Sequence, residues 1–496
     1  MKKYFLEILV FLVGAAGMIL ELDGSRVLSP YLGTTIVVWS SLIGIILGSL
    51  SLGYWLGGRL ADRRPSYQVL ASLLLVSGIL VACIPYIQGS LFTLATAATQ
   101  SLYIRSVVVC LVLFAPATVL LGMVSPYAVK LKMETLKYTG STVGNLYAIS
   151  TLGSITGTFL AGFFLIEYLR TTTVLLLVAA ILLAASLLAV GFTRRSLPLQ
   201  TGLALILVAG LVIFRVHDLV LAQQGFIDTD SQYSRIWIYS GYFPGQTEEA
   251  RFMQIGNEFS SAMYLNGDKL TFPYTNYYRL DSTLNPAIAQ GRGLMLGGAA
   301  YSYPKDFLTH YPEAKMDVVE IDPKVTELAK QYFNLKDSDR LNIFHADART
   351  YLNETTQTYD VIYGDAFRSM SVPYQLTTQE AVQRMYDRLT PKGVVILNVI
   401  SAINGPKSQF FQAEYATYKS VFPQVYAFAV NKPENGTDVQ NVMIVALKSP
   451  TKPSFVSPDK EIQGYFNHLW TKQVETSQPV LTDEYAPVDR YMLSVM

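Results

Sequence analysis

The first part of the chain is dominated by long apolar runs, whereas the rest alternates between short apolar and polar stretches. As a helix, each run is long enough to cross a hydrocarbon core of about 30 Å. The runs lie near residues 4–20, 35–57, 68–88, 106–125, 145–166, 173–192 and 199–214. The first continues apolar past any small-residue cleavage site, which favours a membrane anchor over a cleaved signal peptide. The pattern predicts an α-helical membrane domain of about seven helices over residues 1–216.

From Asp218 onward the sequence turns polar and rich in tyrosine. Residues 226–280 alternate between apolar and polar positions, as half-buried strands do. Asn266-Gly267 is a dipeptide typical of two-residue hairpin loops, so we expect a turn there. The pattern predicts a small β-rich lid over residues 217–280.

Residues 281–496 alternate continuous apolar runs with amphipathic segments. This arrangement is typical of a parallel sheet that is covered by helices on both faces, with right-handed crossovers. The runs are "GLMLGG", "KMDVVEID", "LNIFHAD", "YDVIYGDAF" and "GVVILNVI", and "VYAFAV" and "NVMIVALK" are expected to add edge strands. The predicted fold is an α/β Rossmann-like domain.

Glycines and acids follow the ends of four of these strands. Gly297 and Gly298 end the first, and Glu320, Asp347 and Asp365 end the next three. Ligands bind beyond the carboxyl ends of parallel strands, so these residues are expected to surround one crevice. Each signal alone has a simpler explanation, because a Gly-Gly pair often forms only a tight turn and a strand-end Asp often caps a helix. Together they predict a nucleoside-binding site.

The kind of nucleoside follows from what the glycine turn lacks. No G-x-G-x-x-G motif follows the first strand, which argues against a dinucleotide with its pyrophosphate. An adenosyl sulfonium has no phosphate and needs no such motif. Glu320, about 20 residues after the turn, can accept hydrogen bonds from both ribose hydroxyls.

Composition and charge restrict the remaining classes. The 496 residues are too many for one ordinary domain, and a net charge of +1 argues against a nucleic-acid partner. Cys83 and Cys110 both fall in predicted spans, so no disulfide framework and no metal site are expected. The Lys and Arg residues at the span ends all fall on one side, which is expected to be cytoplasmic in the cell (plasma) membrane. With an odd number of spans, the soluble part is expected to lie outside.

Several stretches resemble a known family. "VVEIDPKV", "HADARTYL", "YDVIYGDAF" and "YQLTTQE" occur in the order found in spermidine synthases, the polyamine aminopropyltransferases. The chain also resembles the membrane-fused branch of this family. The matching stretches are "ELDGSRVLSPYLG", "VWSSLIG", "LGYWLGGRLADRRP", "VSPYAVKL", "NLYAISTLGSITGTFLAGFFLI" and the tail "LTDEYAPVDRYM". The resemblance implies a class I methyltransferase-type fold and a cosubstrate that is decarboxylated S-adenosylmethionine or S-adenosylmethionine, without a metal. It also implies a homodimer, because spermidine synthases are commonly oligomeric.

The resemblance implies roles for individual residues. Glu320 would bind the ribose hydroxyls, Asp347 with Ala348 would contact the adenine, and Asp365 would be the catalytic acid residue. A carboxylate there takes a proton from the substrate ammonium, so that its nitrogen can attack a carbon beside the sulfonium. The other expected contacts are Gly297, Gly298 and Ile321 for the cosubstrate, and Tyr233, Tyr274, Arg368, Tyr374 and Gln375 for the amine substrate.

The chain also departs from the family pattern. Ala299 stands about where these enzymes have an Asp that holds the amine of the decarboxylated cosubstrate, and Arg368 replaces their second active-site Asp. Two further departures are Ser234, where a Gln follows the lid Tyr233, and Thr275-Asn276 after Tyr274, where the family has His-Glu. A guanidinium near the site would repel a cation, yet it could hold a carboxylate through two hydrogen bonds.

Three classes of function are therefore open. The first is a polyamine aminopropyltransferase that acts on an amine such as putrescine. The second is a methyltransferase or other alkyl transferase that uses intact S-adenosylmethionine on the same fold. The third is a non-catalytic polyamine sensor or transporter, whose soluble domain only binds ligand. The presence of Asp365 favours the two enzyme classes over the third.

Overall fold

The computed structural model describes residues 4–133, 139–191, 225–267, 269–367 and 372–495, with isolated positions at 216, 220 and 223. The chain separates into two compact units, Met1–Ile236 and Trp237–Met496. The predicted domain limits, 1–216, 217–280 and 281–496, stay predictions.

The first unit consists mainly of helices that follow the apolar runs. They are α1 Phe5–Leu32, α2 Ile36–Arg63, α3 Tyr67–Ala98, α4 Leu102–Leu113, α5 Ala115–Lys132, α6 Thr139–Leu160, a π-helical turn Ala161–Leu165, α7 Ile166–Tyr168 and α8 Thr171–Val190. Within the described residues, five helices are long and apolar enough to cross a membrane. The pair α4 and α5, bent by 52°, makes a sixth if it forms one span. The predicted run near residues 199–214 lies outside the described residues.

Glycine allows a close contact between two of these helices. α2 packs against α5, and a Cβ added at Gly57 would lie 2.6 Å from both the Cα and the carbonyl oxygen of Met123. Real Cβ atoms do not approach other atoms so closely. The next residue, Gly58, has nothing within 4 Å of an added Cβ. The distance between α2 and α5 therefore depends on the missing side chain at Gly57.

A small sheet follows in the chain. Its strands are β1 Ile227–Asp230, β2 Arg235–Tyr242, β3 Glu249–Ile255 and β4 Glu258–Tyr264, paired in that order. β3 and β4 are antiparallel and turn at Gly256 and Asn257. The prediction of a turn at Asn266-Gly267 is wrong, because that pair follows β4. Gly-Asn is itself a hairpin dipeptide. The role of the sheet as a lid stays a prediction.

The second unit contains a sheet of seven strands in the order β10-β11-β9-β8-β5-β6-β7. The strands are β5 Arg292–Leu296, β6 Lys315–Val319, β7 Leu341–Phe344, β8 Tyr359–Gly364, β9 Leu389–Ser401, β10 Gln424–Ala429 and β11 Gln440–Leu447. Strands β5 to β9 are parallel, whereas β11 is antiparallel to both β9 and β10. The Rossmann-like α/β fold is confirmed with a mixed sheet. Of the two expected edge strands, β10 lies at the edge and β11 lies inside.

Helices cover both faces of this sheet. They are α9 Asp281–Leu284, α10 Ser302–His310, α11 Pro323–Tyr332, α12 Ala348–Glu354, α13 Gln379–Asp387, α14 Gln409–Val421, α15 Lys460–Phe466 and α16 Val488–Met492, with 3-10 turns Pro273–Leu280, Pro286–Gln290 and Tyr374–Leu376. Leu294 and Leu296 of β5 pack into one core, and Met295 between them packs into the other. Because both faces are buried, the strand is apolar throughout instead of alternating.

We expect Gly57→Ala to destabilise the first unit by about 1–3 kcal/mol, because the added methyl group would overlap the backbone of Met123. Gly58→Ala is the matched control, since it makes the same change on the same helix in open space. The measurement is the thermal unfolding midpoint of the full-length protein in detergent. Equal midpoints for the two variants would contradict the close approach of α2 and α5.

Candidate active site

The carboxyl ends of β5, β6 and β8 open onto one cavity of about 410 Å³ in the second unit. Leu296 of β5 pairs with Val319 of β6 and with Gly364 of β8, so the residues that follow these pairs begin at the same edge. Predicted site residues among those that line the cavity are Gly297, Glu320, Ile321, Asp347, Ala348, Asp365, Tyr274 and Gln375. The strand-end rule therefore located the cavity.

The turn after β5 passes very close to the end of β8. Gly297 has a φ of +96°, and an added Cβ would lie 2.7 Å from the carbonyl oxygen of Asp365. Glycine avoids both the strain and the overlap. Ala299, which also lines the cavity, has a φ of 43° in the left-handed region. The turn thus brings backbone and a methyl group to the cavity, but no charge.

Glu320 connects this turn to the end of β6. Its Oε2 accepts hydrogen bonds from Gly298 N at 2.9 Å and Ala299 N at 3.1 Å, and its Oε1 accepts one from Asp322 N at 3.0 Å. Burial raises the pKa of the Glu320 carboxyl, and the three backbone donors oppose that rise. A carboxylate offers about four lone-pair sites, so Glu320 has capacity left for a hydroxyl donor of a ligand.

Asp347 has two contacts of different kinds. Its Oδ1 accepts a hydrogen bond from Thr350 N at 2.9 Å, so it caps α12, and it also lines the cavity. The simpler interpretation as a helix cap is therefore correct, and its contact with a ligand stays a prediction. Beside it, Ile321, Ala346 and Ala348 form an apolar wall that suits a flat aromatic ring.

Asp365 accepts hydrogen bonds from two side chains at the edge of the cavity. Its Oδ2 accepts a hydrogen bond from the Tyr274 hydroxyl at 2.9 Å, and its Oδ1 accepts one from Asn398 Nδ2 at 3.2 Å. Burial raises the pKa of Asp365 to about 6, although the hydrogen bonds from Asn398 and Tyr274 and the nearby hydroxyl of Tyr278 lower it. A carboxylate with that pKa is ionised at neutral pH and is a stronger base than an exposed one.

Four polar residues of the cavity were not predicted: Glu258, Ser260, Asn398 and Asn441. Asn398 lies inside β9, and Asn441 Nδ2 donates a hydrogen bond to its Oδ1 at 2.9 Å. The only sign in the sequence is a single polar residue within the apolar run "GVVILNVI". Glu258 begins β4, so it comes from the small sheet and not from a strand end of the large one.

Four predicted site residues do not line this cavity or cannot be placed. Gly298 donates its N–H to Glu320 and does not line the cavity. The side chain of Tyr374 is 55% exposed, whereas the residues on either side of it line the cavity. Tyr233 belongs to the first unit, and Arg368 lies outside the described residues. The roles of all the predicted site residues stay predictions.

The cavity has an unusual balance of charge. Among its described lining residues there are four acids, Glu258, Glu320, Asp347 and Asp365, and no Lys, Arg or His. The walls between them are apolar and aromatic, with Phe272 as one example. Carboxylates surrounded by apolar walls attract cations more strongly than carboxylates in water do. The site is therefore suited to a positively charged ligand.

Comparisons with known proteins relate this chain to one enzyme family. Residues 294–453 match the spermine/spermidine synthase domain family. The polyamine aminopropyltransferase of Vibrio vulnificus is 30% identical over 238 residues, which cover 45% of this chain and 76% of that protein. Polyamine aminopropyltransferase 1 of Streptomyces coelicolor is 24% identical over 437 residues, which cover 82% of this chain and 77% of that protein.

A solved structure, that of a probable spermidine synthase from Corynebacterium glutamicum, aligns with 50% of this chain and 88% of that chain, with a TM-score of 0.43 and 23% identity. The match to the Streptomyces protein is longer than the second unit alone, so it extends into the first. The chain belongs to the spermine/spermidine synthase family of polyamine aminopropyltransferases and is a transferase.

Proposed function

We propose that this protein is a membrane-anchored aminopropyltransferase, which transfers an aminopropyl group from decarboxylated S-adenosylmethionine to an amine such as putrescine. The observation that carries the proposal is the half-buried Asp365, held by Tyr274 and Asn398 in a cavity lined by acids. The decarboxylated donor has a sulfonium, an ammonium and no carboxylate. Its charges therefore complement the described lining of the cavity.

Binding of the donor is assigned to the β5–β7 side of the cavity. The carboxylate of Glu320 accepts hydrogen bonds from the ribose hydroxyls, while the glycine turn holds that carboxylate in place. Ile321 and Ala348 flank the adenine. These contacts fix the sulfonium carbon near Asp365, and displacement at such a carbon depends mainly on positioning.

In the reaction, Asp365 accepts a proton from the ammonium of the acceptor. The free nitrogen then forms a bond to the carbon beside the sulfur, the carbon–sulfur bond breaks, and its electron pair stays on sulfur as a neutral thioether. The products are the aminopropylated amine and methylthioadenosine. Because Asp365 must be ionised to accept the proton, the rate falls as the pH drops through about 6.

A methyltransferase that uses intact S-adenosylmethionine is the competing function. It is favoured by Ala299, which leaves the glycine turn without an acid for the amine of a decarboxylated donor. The carboxylate of intact S-adenosylmethionine would, however, enter a cavity with four acids and no base among its described lining residues. Like charges in such a place repel strongly, which makes aminopropyl transfer the better supported function.

The first test of the proposal is a product assay with the purified full-length protein, each donor in turn and a panel of amines. We expect methylthioadenosine from the decarboxylated donor, and a loss of about 10²–10⁴-fold in kcat for Asp365→Asn. Retained donor binding and an unchanged unfolding midpoint would show that Asp365→Asn is folded. S-adenosylhomocysteine from the intact donor would instead establish methyl transfer, and no nucleoside product from either donor would favour the non-catalytic class.

We further propose that Glu258 holds the ammonium of the acceptor that lies away from the attacking nitrogen. Glu258 lines the cavity and is close to Tyr274. Burial and Asp365 are the main causes that raise the pKa of the Tyr274 hydroxyl, and Glu258 raises it further. It would supply on β4 an acid that the glycine turn does not provide, and the small sheet would then act as a lid.

We expect Glu258→Gln to raise KM for putrescine about five-fold, the effect of roughly 1 kcal/mol for a partly exposed ion pair. The KM for butylamine, which lacks the second ammonium, should not change. Glu249→Gln on β3 is the control, since Glu249 is exposed and outside the cavity. Equal changes in KM for the two amines would contradict the assigned contact.

We also propose that the first unit anchors the protein in the cell membrane, with the second unit outside. The length and apolar character of its helices support an anchor, and the charge of the predicted loops supports the orientation. Outside the cell the enzyme would act on exported substrates, because S-adenosylmethionine is supplied from the cytoplasm.

The orientation is tested with Lys452→Cys, an exposed position of the second unit, in a chain that carries Cys83→Ser and Cys110→Ser. We expect an impermeant thiol reagent to label this protein in whole cells as fully as in permeabilised cells. Labelling only after permeabilisation would place the second unit in the cytoplasm.

A further inference from the structure

Two asparagines form a chain of hydrogen bonds that ends at Asp365. Asn441 Nδ2 donates to Asn398 Oδ1 at 2.9 Å, and Asn398 Nδ2 donates to Asp365 Oδ1 at 3.2 Å. β9 and β11 are antiparallel, and Asn441 pairs with Ile400, two residues from Asn398. Both amides therefore point to the same face of the sheet, as diagonal neighbours.

The two bonds require the same orientation of the Asn398 amide. An amide has a donor end and an acceptor end, and rotation by half a turn exchanges them. The ionised carboxylate of Asp365 can only accept, so it faces the NH₂ group of Asn398, and Asn441 stabilises this orientation by donating to the oxygen at the other end. The rotated amide would instead place its oxygen against the carboxylate. Asn398 is 4% exposed, so water does little to help either arrangement.

We propose that Asn441 is a positioning residue that holds Asn398 as a hydrogen-bond donor, and so keeps Asp365 in the ionised form that accepts the proton of the acceptor amine. The inference rests on the proposed function for its catalytic consequence. Asn441 donates its hydrogen bond to Asn398, which in turn donates to Asp365, so it acts through Asn398.

Other groups also face Asp365. The hydroxyls of Tyr274 and Tyr278, in the 3-10 turn Pro273–Leu280, lower its pKa. Glu258 on β4, Glu320 after β6 and Asp347 after β7 line the same cavity. Arg368 lies outside the described residues. The acids favour the protonated form of Asp365 and the hydroxyls favour the ionised form. The amide chain thus adds to the hydroxyl donors and opposes the surrounding acids.

The experiment compares pH profiles of kcat/KM for the full-length protein and its Asn441→Leu variant, with decarboxylated S-adenosylmethionine and putrescine. Without Asn441 the amide of Asn398 is free to rotate away from Asp365, and the loss of that donor to a charged group should move the acidic limb up by about one pH unit. The rate at pH 6 should then fall about five-fold, while the rate at pH 9 stays within about two-fold of the wild type. A uniform loss at every pH would indicate a structural role and would overturn the proposal.

Two further variants test the route through Asn398. Asn441→Asp has nearly the same shape but can only accept hydrogen bonds, so it should rotate the amide of Asn398 and move the limb further than Asn441→Leu does. In an Asn398→Ala background, Asn441→Leu should cause no additional shift. A shift that persists there would overturn the proposal. Asn404→Leu, at a position outside the cavity, is the matched control and should leave the limb unchanged.

A second readout does not depend on catalysis. The carboxyl band of Asp365 can be followed by infrared titration and assigned by its loss in Asp365→Asn. An upward shift of this titration in Asn441→Leu supports the amide chain even if the wild type transfers no aminopropyl group. An active wild type with an unshifted titration in Asn441→Leu would overturn the inference and leave the proposed function intact.

Discussion

The site depends on keeping one half-buried carboxylate, Asp365, partly removed from water and yet ionised. A buried carboxylate is unstable unless the protein replaces the hydrogen bonds that water would make. Here Tyr274 and Asn398 replace them, and they come from opposite sides of β8 in the sequence. The 3-10 turn Pro273–Leu280 must therefore lie against the end of β8, and β9 must lie beside it in a fixed register. The hydrogen bonds to this one carboxylate therefore require both the 3-10 turn, which precedes the sheet in the chain, and β9, which follows β8.

The parallel sheet provides the edge on which this arrangement is built. Gly297 and Asp365 each follow a strand, and the tight turn at Gly297 brings the backbone of one strand against the carbonyl oxygen of the other. Glu320 then connects the same turn to β6 through three backbone N–H groups. The carboxylate of Glu320, which holds the turn, and the carboxylate of Asp365 thus follow the two strands that flank β5. Their different hydrogen-bond donors suit the different tasks proposed for them.

Sequence reasoning located this edge because each strand end is marked locally, by a glycine or an acid after an apolar run. It missed Asn398 and Asn441, since both lie inside strands and their contact depends on the register of β9 with β11, which no local pattern determines. The turn of the β3–β4 hairpin was misplaced for a related reason. Two dipeptides typical of hairpins flank β4, and only the pairing of the strands shows which of them closes the hairpin.

The positive charge of a bound donor would change the ionisation of Asp365. Burial raises the pKa of Asp365 to about 6, so this carboxyl group is ionised only in part just below neutral pH, and three other acids line the same cavity. A cation within about 4–6 Å lowers the pKa of a carboxyl group. In the proposed reaction the sulfonium of the donor is such a cation. Donor binding would then increase the ionised fraction of Asp365 before the acceptor amine enters. More of the protein would therefore carry an active base when there is a group to transfer.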